Sequence, residues 1–235
     1  MKTFFLILLF FAFSSYYLNK KAEAKTSRMT VAKKYTYLAL GDSYTIGESV
    51  PDTDNFPAQA VSLLKKDNVL IDPVDIIATT GWTTDELESG ITHAQSNGSL
   101  LPTYDFVSLL IGVNNQYRGR TIENYRGEFE ELLKKAIRFA GNNTAHVVVM
   151  SIPDWGVTPF AKGRDRSAIA ADIDAYNAVN KQVATQYHIQ YIDITRWTRE
   201  AATDASLLAG DGLHPSAKEY HRWAVRIADW MKKLL

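Results

Sequence analysis

Apolar residues along this chain fall into two alternating rhythms. Short β-branched or aromatic runs at 35–40, 75–78, 106–111, 146–152 and 190–194 have the length and composition of strands. The runs at 107–111 and 147–152 are almost unbroken, as expected of strands covered on both faces. Between these runs a helical period takes over. Over 121–140, Ile122, Tyr125, Phe129, Leu132, Leu133, Ala136 and Ile137 form one stripe. Thr121 suits its cap, Glu123 the positive end of the dipole and Gly141 the stop. In the last helix, Ser216 and Glu219 have capping-box spacing, and Tyr220, Trp223, Ala224, Ile227 and Met231 make the buried face. Further helices are expected at 57–66 and 169–187.

Strand–helix alternation of this kind argues for an α/β fold, a parallel sheet with helices on both faces. Such sheets bind ligands at the carboxyl ends of their strands. Ser43, Gly112 and Asp154 each lie just beyond an expected strand, so they should share that rim. No internal repeat, low-complexity tract or linker interrupts 35–235, which reads as one domain.

The amino-terminal pattern is different. Lys2 precedes an apolar run at 4–13, weakly extended to residue 18, and Ala22-Glu23-Ala24 offers small residues where a signal peptidase cuts. Residues 1–24 are therefore expected to be a signal peptide and the protein exported, with 25–34 a polar, basic tether. The competing reading is a retained anchor. Against it, the apolar run falls short of the ~20 residues that span a bilayer. In its favour, Lys20 and Lys21 add positive charge after the run.

Composition narrows the function classes. Of 235 residues, 46% are hydrophobic and 22% charged, an ordinary globular balance. Lys+Arg and Asp+Glu are equal at 26, and no basic stripe carries interleaved aromatics, so neither nucleic acid nor an anionic membrane is the expected partner. The chain has no cysteine, which excludes a thiol nucleophile, a thiolate zinc site, a lipidated cysteine and disulfides. His93, His146, His188 and His221 show no helical zinc spacing, so no metal and no cofactor is expected.

Candidate chemistry comes from four short blocks. Gly41-Asp42-Ser43 follows the first strand, and Asp211-Gly212-Leu213-His214-Pro215 precedes the last helix. Each block alone is better read as a turn. Together they supply a serine, an imidazole to take its proton and a carboxylate to orient the imidazole. The α/β-hydrolase elbow Gly-x-Ser-x-Gly is not met, because Thr45 occupies its last position. Thr79-Thr80-Gly81-Trp82 and Gly112-Val113-Asn114-Asn115 follow two other strands. The N–H groups of Ser43 and Gly81, with the Asn114 amide, would give three donors for an oxyanion.

In these four blocks the chain resembles the GDSL lipases and acylhydrolases, also called SGNH hydrolases. Gly41-Asp42-Ser43, Gly81, Gly112-Val113-Asn114 and the Asp211-to-His214 block occur in the family's order across residues 41–215. The resemblance implies a three-layer sandwich around a five-stranded parallel sheet. It also implies Ser43 as nucleophile, His214 as general base and then acid, Asp211 as its orienting group, and Ser43, Gly81 and Asn114 as the oxyanion hole. Two positions depart from the common pattern. Tyr44 stands where many members carry Leu or Ile, and Asn115 where many carry Asp.

The expected activity is hydrolysis of a small-molecule carboxylic ester, of a lipid or an acetylated sugar. A carbohydrate O-deacetylase would use the same residues, and a non-catalytic ligand-binding module could share the fold. Trp82, Tyr117, Trp155 and Phe160 either line the substrate pocket or belong to the core. The stretch 154–167 has turn composition and is the best candidate for a substrate-facing loop. Within it, Arg164 and Arg166 are either solvated or face an anionic group.

Overall fold

In the computed structural model, which describes residues 33–235, five strands make one sheet. They are β1 (Lys34–Asp42), β2 (Leu70–Thr79), β3 (Phe106–Leu110), β4 (Val147–Met150) and β5 (Gln190–Ile192). Their order is β2-β1-β3-β4-β5 and every pairing is parallel. The signal segment expected at 1–24 lies outside the described residues, as does the expected tether apart from Lys33 and Lys34. Lys34 already belongs to β1.

Burial explains the strand sequences. Every residue of β3 and β4 is buried, because helices cover both faces of these inner strands. The one polar side chain among them, Ser108, is satisfied by the Tyr37 hydroxyl at 2.7 Å. Strand β2 is longer than its apolar run suggests, because Asp72, Pro73 and Asp75 interrupt the hydrophobic pattern. It sits at the sheet edge, where a proline is tolerated, and the register against β1 shifts between Tyr35 and Tyr37. At the other strands, residues 111, 151–152 and 193–194 leave the ladder and begin the rim loops.

The connecting helices are α1 (Ser43–Ile46), α2 (Phe56–Lys66), α3 (Thr84–Ser96), α4 (Val113–Tyr117), α5 (Ile122–Phe139), α6 (Arg166–Gln186), α7 (Thr195–Thr198) and α8 (Ala217–Lys232). Helix α2 packs against α8, and α5 packs against both α3 and α6. Thr121 caps α5 as expected, accepting the Asn124 N–H at 3.2 Å. Ser216 caps α8, accepting the Glu219 N–H at 3.4 Å, but the reciprocal half of the capping box is replaced. The Glu219 carboxylate turns inward to Trp223 Nε1 and Arg222 Nη1, at 2.8 and 2.9 Å. Burying the Trp223 indole N–H requires an acceptor, and Glu219 supplies it.

The chain leaves β1 for β2 on one side and reaches β3 on the other. The crevice at the carboxyl end of β1 is thus the switch point where ligands bind in open α/β sheets. Ser43 is the first residue past that end.

Candidate active site

Close packing shapes the turn from β1 into α1. A Cβ on Gly41 would stand 2.1 Å from Thr45 Oγ1 and 2.5 Å from the Leu110 carbonyl, so only glycine fits. Asp42 caps α1 by accepting the Tyr44 N–H at 3.0 Å. The Asp42 carboxyl is fully buried and its Oδ2 has no partner, so burial pushes it up to about 7, against the pull of its backbone hydrogen bonds.

The loop before α8 brings the other two groups to Ser43. It is pinned by the Ala209 N–H donating to the His214 carbonyl at 2.8 Å and by a Leu208–Pro215 bridge. His214 Nε2 lies 3.0 Å from Ser43 Oγ, across 171 residues of sequence. His214 Nδ1 lies 2.6 Å from Asp211 Oδ2. The two contacts together define a tautomer with Nδ1–H donating to the carboxylate and Nε2 free to accept from Ser43. The Tyr44 ring packs 4.9 Å from the imidazole and walls off one side. Asp211 Oδ1 accepts the backbone N–H groups of Leu213 and His214 at 2.9 and 3.0 Å. Oδ2 also accepts the Ser49 hydroxyl at 2.8 Å. Partial burial pushes the Asp211 carboxyl up, but these donors, His214 foremost, outweigh it and hold it at about 2.

The next two rim loops carry the remaining expected groups. Gly112 opens α4 at φ 129°, where a Cβ would meet the Tyr125 hydroxyl at 2.4 Å. Asn114 lines one cavity with Ser43 and His214, and one of its amide hydrogens goes to the Trp82 carbonyl at 3.0 Å. Asn115, one of the two departures from the common pattern, is fully buried. It accepts the Thr84 N–H at 3.1 Å and donates to Thr84 Oγ1 at 2.6 Å, tying α4 to the start of α3. Gly81 sits just past β2, and its carbonyl accepts from Arg118 Nη2 at 2.6 Å.

The cavity beside Ser43 has a volume of about 110 Å³, with Tyr117, Trp155 and Phe160 forming its apolar wall. Trp155 is buried and anchored through Nε1 to Gln116 at 2.8 Å. Tyr117 and Phe160 are 42% and 46% exposed, so their faces border the mouth. The Arg164 guanidinium lies over the Tyr117 and Trp155 rings at 5.1 and 5.4 Å and donates to the Tyr117 hydroxyl at 3.2 Å. Trp82 is elsewhere, its indole lying over Gly90 of α3. Asp154 caps the Trp155–Val157 turn and pairs with Arg199 at 2.8 Å, so its role is to brace the aromatic wall. A larger groove of about 630 Å³ runs beside β5 but contains none of the hydroxyl, imidazole or amide groups described above. Among the described residues no three His, Asp or Glu side chains converge as metal ligands.

A serine hydroxyl hydrogen-bonded to an imidazole, itself oriented by an ionised carboxylate, can be deprotonated as it attacks a carbonyl. Residues 39–222 match the GDSL-like Lipase/Acylhydrolase family, so the chain belongs to that family and is a carboxylic ester hydrolase. Among functionally curated proteins, none matches the chain by sequence. Solved structures resemble its fold. TesA aligns with TM-score 0.64 at 18% identity over 85% of this chain and 99% of its own. The psychrotrophic esterase EstA from Pseudoalteromonas sp. aligns with TM-score 0.63 at 16% identity, over 85% of this chain and 98% of its own. A catalytic mutant of Axe2, an acetylxylan esterase from Geobacillus stearothermophilus, gives 0.64 at 18% identity, over 86% and 96%.

Proposed function

We propose that the protein hydrolyses short-acyl carboxylic esters through an acyl-enzyme on Ser43. The observation that carries this reading is the unbroken path from Ser43 Oγ through His214 to Asp211, with contacts of 3.0 and 2.6 Å. Ser43 attacks the ester carbonyl as Nε2 of His214 takes its proton, and the same proton then goes to the leaving alkoxide. Water repeats the sequence in reverse, with His214 again as base, and frees the acid. Asp211 stays ionised throughout and stabilises the transient imidazolium. The N–H groups of Ser43 and Gly81, with the Asn114 amide, receive the oxyanion.

Cavity size sets the acyl limit. About 110 Å³ beside Ser43 is well below the ~300–1,000 Å³ of sites that enclose drug-sized ligands. Tyr117, Trp155 and Phe160 close the acyl side. A second reading, a carbohydrate O-deacetylase, is favoured by the exposed faces of Tyr117 and Phe160, on which a sugar ring can stack at the mouth. In both readings residues 1–24 direct export on the strength of the apolar run and the Ala22-Glu23-Ala24 site, 25–33 serve as a tether, and the catalytic domain begins with β1 at Lys34.

A fluorophosphonate probe tests the nucleophile. Wild type should be labelled at Ser43 and Ser43→Ala should not; a folded wild type left unlabelled and inert on p-nitrophenyl acetate would favour a binding module. Comparing p-nitrophenyl esters of increasing chain length with acetate release from acetylated oligosaccharides separates the two ester classes.

A further inference from the structure

The turn that follows α1 has a feature the triad itself does not explain. Gly47 ends α1 in the left-handed region, and two residues later Ser49 enters it again at φ 67°. Left-handed backbone is unfavourable for a residue with a Cβ, and serine there needs a compensating contact. Ser49 makes one. Its hydroxyl donates to Asp211 Oδ2 at 2.8 Å, the same oxygen that accepts His214 Nδ1–H at 2.6 Å.

The other donors to Asp211 belong to its own turn, Leu213 N–H and His214 N–H on Oδ1. They travel with the loop and cannot fix it against Ser43. Ser49 reaches Asp211 from 162 residues away and lies six residues beyond Ser43, in the segment that carries the hydroxyl. Beside it, Glu48 accepts a hydrogen bond from Thr80, the residue before Gly81. One short turn therefore touches the carboxylate loop and the glycine loop while being covalently continuous with Ser43.

We infer that Ser49 is a positioning residue of the active site, whose hydroxyl clamps the Asp211 carboxylate so that the imidazole faces Ser43. This rests on the reading of Ser43, His214 and Asp211 as the catalytic relay. The left-handed turn is the local means by which the Ser49 side chain is aimed at Asp211 rather than at solvent.

Ser49→Gly separates the hydroxyl from the backbone. Glycine accepts φ 67° without strain, so this variant should keep the native fold of the turn. It should nonetheless lose roughly ten-fold in kcat on p-nitrophenyl acetate, with KM nearly unchanged. Ser49→Ala should lose a similar factor in kcat and be less stable than the glycine variant. In an Asp211→Asn background, Ser49→Gly should cost much less than in wild type, because the two act on one contact. Wild-type labelling by the fluorophosphonate probe is measured alongside. Labelling of Ser43 with full kcat in Ser49→Gly, or additive losses in the double variant, would overturn the clamp and leave the nucleophile standing. Absence of labelling in wild type would overturn both.

Discussion

The guanidinium of Arg118 joins the Gly81 carbonyl, at 2.6 Å, to the Glu86 carboxylate, at 3.1 Å. Glu86 is in turn fixed by accepting the Thr83 N–H at 2.9 Å in the capping box of α3. The peptide that follows β2 is thus held from its carbonyl side by a side chain four residues past Asn114. Two loops expected to supply oxyanion donors are braced against each other through one cation.

Arg118→Ala should therefore lower kcat on p-nitrophenyl acetate by about ten-fold while moving KM little, since the oxyanion exists only in and near the transition state. Arg118→Lys, with one point charge for two partners, should fall between. The ion pair is largely exposed, so thermal unfolding should change little in either variant. Equal losses in kcat and thermal stability would point to a structural brace instead.

Chain-length preference should move with Phe160. Truncation to alanine opens the wall of the cavity beside Ser43 without disturbing a buried core position. The ratio of kcat/KM for octanoate over acetate esters should rise by about ten-fold or more in Phe160→Ala, ten-fold being the worth of about one additional methylene accommodated. An unchanged ratio would put the acyl group elsewhere.

Asp42 gives a stability signature with a defined sign. Its carboxyl, lifted from 3.8 to about 7 by burial, binds a proton in the folded protein over a range where the unfolded chain has released it. Folding stability should fall as pH rises from ~4 to ~7, by up to ~4 kcal/mol. Asp42→Asn should flatten that slope, read as urea midpoints at pH 4.5 and 7.5. Asp211 works in the opposite sense, and its stabilisation should be lost only as pH falls below ~4 towards 2.

Gly41→Ala should be destabilising by about 3 kcal/mol or more, because the new methyl meets the Leu110 carbonyl as well as Thr45 Oγ1. Adding Thr45→Ala should recover only part of the loss, since the Leu110 contact is with backbone. Chemical denaturation of the single and double variants measures both effects.

The sheet was legible because its inner strands are apolar runs, and the meeting of Ser43, His214 and Asp211 because they sit in short motifs at element ends. Other parts were hidden for identifiable reasons. Helix α3 escaped the periodicity reading, since its buried side is only Thr84, Leu87, Ile91 and Ala94 among polar neighbours. The pairing of Thr83 with Glu86 was the available signal for it. The first half of β2 was masked by Asp72 and Pro73, which an edge strand tolerates and an inner one does not. Ser49 and Arg118 make polar contacts across 162 and 37 residues, for which no local pattern exists, and the partner of Arg164, already named in its loop, lies 47 residues away. Asn115 stands out in the sequence as a departure, but its link to Thr84 depends on how α3 and α4 meet. The pairing of Ser216 with Glu219 was only half informative, because the carboxylate had a stronger claim inside the protein.

Ser43 and His214 stand at opposite ends of the folded domain's sequence, and the loop bearing His214 is held by the helix that packs on α2. During synthesis, the hydroxyl emerges from the ribosome long before its imidazole. On the proposed reading, a nascent or truncated chain ending ahead of His214 holds a serine without its base, and hydrolysis has to wait for the last stretch of the chain.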